Sequence, residues 1–167
     1  LNGMVSSPVK SSGVRIIGVN KNQEKELTSI YAGLVNGNYF ESKRRNPILV
    51  GQALAEKLKI KVQSKVVLTF QDSENNIVSG AFRVCGIFKT QYTKHDQGNV
   101  FIENKDIQRL LKSEEFHQVA LLCNSIEQVD STYKKLKTNL TNYEVKDWKS
   151  ISPELAYADK IMESWLF

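Results

Sequence analysis

Apolar and polar positions alternate in blocks that predict a mixed chain of strands and helices. Val14, Ile16, Ile17 and Val19 form an apolar run bounded by Gly13 and the polar Asn20-Lys21-Asn22, which fits a buried strand over residues 14–19. Leu27, Ile30, Tyr31 and Leu34 then recur at i, i+3, i+4 and i+7, which predicts a helix with one apolar stripe. Gly37 is placed to stop that helix in a left-handed turn. Ile48, Leu49 and Val50 read as a short strand, and Leu54 with Leu58 marks a helix of two or three turns after it. The β-branched and aromatic runs 66–70 and 81–88 flank the polar Asp72-Ser73-Glu74-Asn75-Asn76 and predict a β-hairpin with a long loop.

Past a polar loop over residues 90–98, Val100 to Ile102 predict another strand, and Asn104 can cap a helix carrying Ile107, Leu110 and Leu111. Strands are expected over residues 118–123 and 143–146, joined by a helix with Val129, Tyr133, Leu136 and Leu140 on its inner face; together they would form a βαβ-type unit. Ser125 with Gln128 marks that helix's start as a capping box. Ser152-Pro153-Glu154 opens a last helix, with Leu155, Ala158, Met162 and Trp165 at helical spacing. The fold class is thus α+β. One lobe is expected from residues 1–45 and 113–150, a smaller α/β lobe with the hairpin from 46–112, and the start of a further helix from 151–167.

The 167 residues suffice for one domain or two small lobes, and 41% hydrophobic with 25% charged residues is ordinary for a globular protein. No apolar run approaches the ~20 residues of a membrane-spanning helix. The net charge of +5 is spread among 18 acidic residues, so a solvated basic surface is the simpler reading. Lys43-Arg44-Arg45, without interleaved aromatics, makes a weak nucleic-acid signal and suits a charged connector. Neither a Walker pattern nor GxGxxG occurs, so ATP hydrolysis is expected on another polypeptide. His95, His117, Cys85 and Cys123 lack metal-ligand spacing, and no cofactor or metal is expected. Both cysteines sit in apolar runs as small hydrophobes, and their pairing is left open. Asn139-Leu140-Thr141 matches a glycosylation sequon of the kind that arises by chance.

Several marks occur together in order: Gly18-Val19 before a charged helix start, the Gly37-Asn38-Tyr39-Phe40 turn, and Leu49-Val50-Gly51 with Leu54-Ala55 and Leu58. Phe82-Arg83-Val84-Cys85-Gly86-Ile87-Phe88, Asp96 leading to Val100-Phe101-Ile102, and Trp148 before Ser152-Pro153-Glu154-Leu155 complete the set. This order resembles the extracytoplasmic domain of the MacB/LolC/LolE/FtsX-type ABC transporter permeases, over about residues 13–153. The resemblance implies a porter-like α/β lobe, here without its first strand and helix, and a smaller inserted lobe. It also implies flanking transmembrane helices and a place on the periplasmic side of a bacterial inner membrane. The implied partners are a cytoplasmic ABC ATPase, a second permease subunit (the same or different) and a periplasmic carrier or adaptor, with no nucleic acid. The implied task is to couple ATP hydrolysis to export or to lipoprotein release. Gln63-Ser64-Lys65 departs from the family's glycine before the hairpin, and residues 71–80 form a shorter, proline-free counterpart of the hairpin that grips the carrier in lipoprotein-releasing relatives.

No catalytic residue is expected on this reading. The partner-contact candidates are Asp72, Ser73, Glu74, Asn75 and Asn76 at the hairpin tip, with Tyr92, His95 and Asp96 in the loop after it, because polar loops on a rigid scaffold commonly carry binding. Two alternatives come from other classes. A free-standing secreted hydrolase would use His95 and Asp96, although no GxSxG elbow accompanies them, and a basic module would bind nucleic acid with steep salt dependence. Tyr157, Trp165 and Phe167 read either as an aromatic belt at a membrane surface or as core packing, and the last helix, with no Gly, Asn or Pro to close it, is expected to continue into a bilayer.

Overall fold

The computed structural model describes residues 1–41, 46–157 and 161. Lys43-Arg44-Arg45, Ala158, Met162, Trp165 and Phe167 lie outside the described residues. Two compact units are present, Leu1–His117 and Gln118–Phe167. Among the described residues no helix is long and apolar enough to cross a membrane.

The first unit is built on one mixed sheet of β1 (Asn2–Ser6), β2 (Ser11–Val19), β3 (Leu34–Gly37), β4 (Pro47–Gly51), β5 (Lys65–Gln71), β6 (Ile77–Phe88) and β7 (Asn99–Glu103). Their order is β3-β6-β4-β7-β2-β1-β5, and β5 pairs β6 as well, so six strands close on themselves while β3 joins the far half of β6. β2–β7 and β4–β6 are parallel; the other pairs are antiparallel. Closure removes the exposed edges that an open sheet would leave.

Period-two alternation sends side chains to two cores. Val5, Val14, Ile16, Ile48, Val50, Leu68, Phe82, Val84, Val100 and Ile102 fill the inside, joined by Leu54, Ala55 and Leu58 of α2 (Gln52–Leu58). Ile107, Leu110 and Leu111 of α4 (Asn104–Leu111) pack at its margin. Leu49, Phe101, Phe88 and Cys85 point the other way and meet Val19, Ile30, Tyr39 and Phe40 in a second cluster. Leu49 faces Phe101 in the β4–β7 register, so adjacent residues of the same two strands feed opposite cores.

The structure divides the chain differently from the expected lobes. β2 pairs β7 and β1 pairs β5, so residues 1–45 and 46–112 share one sheet. The stripe at Leu27, Ile30, Tyr31 and Leu34 is not a helix. Helix α1 spans Lys21–Leu27 and stops at Thr28, whose N–H reaches the Glu24 carbonyl and whose hydroxyl bonds the Glu24 carboxylate. Leu34 starts β3 instead, because it can pair with Phe88, and β-pairing plus burial of Ile30 outweighs local helical preference. Gly37 does adopt φ +80°, at a strand end rather than a helix end. The polar segment after β6 folds into α3 (Thr93–Gly98).

The second unit holds α5 (Glu127–Asn139) and α6 (Trp148–Ile151), the latter capped by Asp147, which also bonds the Ser150 hydroxyl. Residues 153–157 are helical, as expected of Ser152-Pro153. Residues 118–123 and 143–146 are not strands, and the βαβ unit does not form. Neither segment has a strand beside it among the described residues, and Val119, Leu121, Leu122 and Tyr143 stay exposed. Cys85 and Cys123 are free thiols, and burial pushes the Cys85 thiol up to about 11, leaving it an unreactive hydrophobe.

Leu58 is fully buried and Leu122 is 70% exposed. Leu58→Ala is expected to destabilise the first unit by about 2–5 kcal/mol, and Leu122→Ala to change stability by no more than about 0.5 kcal/mol. Urea unfolding of the two variants measures both.

Candidate functional site

The hairpin tip is a closed hydrogen-bonded turn. Asp72 Oδ1 accepts from the backbone N–H of Glu74 (2.9 Å) and of Asn76 (2.8 Å), and Oδ2 accepts from Asn76 Nδ2 at 3.1 Å. The backbone closes the same ring through Asp72 N–H to Asn76 O and Asn75 N–H to Asp72 O, both 3.1 Å. Asn75 sits at φ 64°, a left-handed position that asparagine tolerates better than most residues. Hydrogen bonds from Asn76, and then from Glu74, hold the Asp72 carboxyl below its ordinary value. Asn76 Nδ2 also bonds Glu74 Oε2 at 3.2 Å, while Ser73 and Asn75 turn exposed side chains outward. Ile77, 77% exposed, begins β6 beside them.

The second candidate group splits. Tyr92 is exposed, but Asp96 is buried within α3 and supports its own loop. Asp96 Oδ2 accepts from Thr90 N–H at 2.9 Å, and Oδ1 from the Thr90 hydroxyl at 2.7 Å. The α3 backbone lies so close to β4 that a Cβ on Gly51 would stand 2.1 Å from the Asp96 carbonyl oxygen. His95 packs its ring against Phe88 and Phe101, with centroids 6.1 and 6.2 Å away. As a contact candidate Asp96 is therefore corrected to a structural residue, out of a partner's reach.

The same geometry bears on the hydrolase alternative. His95 Nδ1 stands 3.6 Å from Asp96 Oδ1, too long for a hydrogen bond, and is buried without a partner. Asp96 is committed to Thr90, so the two residues do not form the oriented base of a triad. Among the described residues no group of three or more His, Cys, Asp or Glu could hold a metal.

The two candidate loops lie at opposite ends of β6. Twelve residues at about 3.3 Å each place them up to about 40 Å apart along the strand. Sequence reasoning passed over two other groups. Lys25 Nζ stands 4.5 Å from the Tyr31 ring centroid and 5.3 Å from that of Tyr39, pinning α1 to the second core. Lys57, Lys59, Lys61 and Lys65 gather at one end of the barrel; their spacing of two, two and four without an intervening acid was the available signal.

No family model matches the chain, and no curated protein matches it. Among solved structures it is similar to the extracellular domain of a noncanonic ABC-type transporter, YknZ, from Gram-positive bacteria. The TM-score is 0.60 at 15% identity, over 88% of this chain and 77% of that one. The likeness shows a shared fold.

Two outcomes follow from the loop geometry. A depressed Asp72 pKa means that the folded turn favours the ionised carboxylate, so its contribution is present above the ordinary value of 3.8 and is lost as pH falls through the folded value. Hydrogen exchange at the Glu74 and Asn76 amides is therefore expected to lose protection at acid pH, relative to the neighbouring strand amides, and Asp72→Ala to abolish that protection at neutral pH. Asp96→Ala removes the acceptor of the Thr90 N–H and the closer acceptor of its hydroxyl, and is expected to cost about 1–3 kcal/mol in urea unfolding.

Proposed function

We propose that this chain is the extracytoplasmic domain of an ABC transporter permease. On this reading it couples ATP hydrolysis by a separate cytoplasmic ATPase to events outside the membrane, export of a substrate or release of a lipoprotein. A second permease subunit and an external carrier or adaptor are its other partners. The observation that carries the reading is the fold, shared over 88% of the chain with a domain described as extracellular and belonging to an ABC-type transporter. The order of sequence marks from Gly18 to Leu155 supports it independently.

Within this proposal the hairpin tip is the contact surface. Its turn is held internally by Asp72, which leaves Ser73, Glu74, Asn75 and the flank of Ile77 for a partner. A preorganised loop loses little freedom when it binds. Tyr92, at the other end of β6, serves a separate contact.

The test is topological. Asn75→Cys, in the full-length protein with Cys85 and Cys123 replaced by alanine, is expected to react in intact cells with a membrane-impermeant maleimide. Labelling only after lysis would place the hairpin in the cytoplasm and sink the proposal.

A further inference from the structure

One end of the barrel gathers positive charge from the β1–β2 turn and from the segment that runs out of α2 into β5. β1 and β2 are joined there by the turn Ser7-Pro8-Val9-Lys10. The Ser7 hydroxyl lies 3.0 Å from the carbonyl oxygens of both Lys10 and Leu58, and accepts from the Val9 and Lys10 N–H groups. That fastens the turn to the C-terminal end of α2, which carries Lys57 and Lys59. Lys61 follows in a turn whose backbone bonds Ser64, and Lys65 opens β5, paired with Arg83 of β6. Ser6 pairs with Val67, which puts the start of β5 at the same end as the β1–β2 turn.

These cations are not consumed by the fold. The α2 carbonyls are closed by backbone, with Lys59 N–H reaching Glu56 O and Ile60 N–H reaching Ala55 O. Among the described residues no carboxylate lies in ion-pair range of Lys10, Lys57, Lys59, Lys61 or Lys65. Lys57 Nζ donates to the Ser12 hydroxyl, a neutral partner. Beside Lys10 on that turn stands Val9, 68% exposed, its N–H donating to the Ser7 hydroxyl.

We propose that this end of the barrel is a docking surface for an anionic phospholipid bilayer, with Lys10, Lys57, Lys59 and Lys61 on the headgroup phosphates and Val9 in the interfacial layer. An exposed apolar turn at the end of the barrel that carries these lysines suits a surface that is charged outside and apolar beneath. A soluble polyanion has no use for Val9, and a single-stranded nucleic acid would call for aromatic rings on which bases stack. The idea rests on the transporter reading for its setting, since a domain tethered beside a bilayer meets it at high effective concentration.

Flotation of the 167-residue chain with phospholipid vesicles tests it. The chain is expected to float with vesicles of equimolar phosphatidylglycerol and phosphatidylcholine and to stay behind with phosphatidylcholine alone. Each lysine near an anionic surface is worth about five-fold in binding, so K59E/K61E is expected to weaken it more than tenfold and added salt to weaken it further. V9S is expected to weaken it several-fold, and unchanged thermal unfolding of both variants keeps the comparison valid. Equal flotation with both vesicle types, no flotation, or an indifferent K59E/K61E would overturn the proposal. So would binding of inorganic polyphosphate as tight as that of vesicles with V9S affecting neither, which would assign the patch to a soluble polyanion. The assay uses no other part of a transporter, so its outcome and that of the maleimide test can fail separately.

Discussion

Strand β6 sets the geometry of the first unit, and it does so through a break in its own register. Its first half pairs with β5, and its second half lies between β4 and β3. Partners of β4 jump from Val84 opposite Ile48 to Gly86 opposite Leu49, so one extra residue is absorbed at Cys85. Before the shift Phe82 and Val84 face the inner core; after it Ile87 does, and Phe88 turns to the second core. Without the extra residue the parity of the strand would bury Gly86 and Phe88 inside and leave the second cluster without its central ring. The shift needs glycine on both sides. A Cβ on Gly86 would meet Leu49 Cδ2 at 2.8 Å and Asn38 O at 2.9 Å, and one on Gly37 would stand 2.3 Å from the Cys85 carbonyl oxygen.

Five strands of the first unit, β2, β4, β5, β6 and β7, were readable from their apolar or β-branched runs and polar boundaries, whereas β1 went unread and β3 was taken for part of a helix. Ile48-Leu49-Val50 and Val100-Phe101-Ile102 are short apolar runs, and the hairpin announces itself by a polar turn between two β-branched stretches. What could not be read is what depends on partners distant in sequence. Leu27, Ile30, Tyr31 and Leu34 satisfy a helical period by number alone, yet Ile30 and Leu34 are claimed by Phe88 and its cluster. Gln118 to Cys123 is an apolar run of strand length, and a strand exists only where another lies beside it. The division into lobes failed for the same reason, since closure of β2 onto β7 is a long-range pairing that no local window contains.

Of the candidate contacts, the hairpin tip was legible as a polar loop between two strands, while the ring that Asp72 closes with Glu74 and Asn76 was left unread, although an aspartate before two asparagines is a local signal for it. The His95-Asp96 pair was not legible, because adjacency in sequence says nothing of which side chain is drawn inward; Thr90 draws Asp96 in, and Phe88 with Phe101 draws the imidazole onto the core. The lysine end escaped notice because its spacing signal runs across a helix, a turn and a strand and, without the fold, does not show that Lys10 joins it.

The hairpin and the α3 segment are distant, yet they are not independent. Both are continuations of β6, and that strand is hydrogen-bonded along most of its length to β5, β4 or β3. A displacement at the tip therefore reaches α3 by one of two routes, through the β6 backbone or around the closed barrel by way of β1, β2 and β7. The barrel route crosses the β5–β1, β1–β2 and β2–β7 pairings; the strand route stays within one backbone and passes the register shift at Cys85. There Gly86 and Gly37 hold the backbones together without side chains to brace them. A close-packed, covalently continuous path stiffened on both edges is what carries strain in proteins. The shift at Cys85 is the one irregularity of β6 against β4, and it lies between the surface proposed to meet a partner and Tyr92 beyond it.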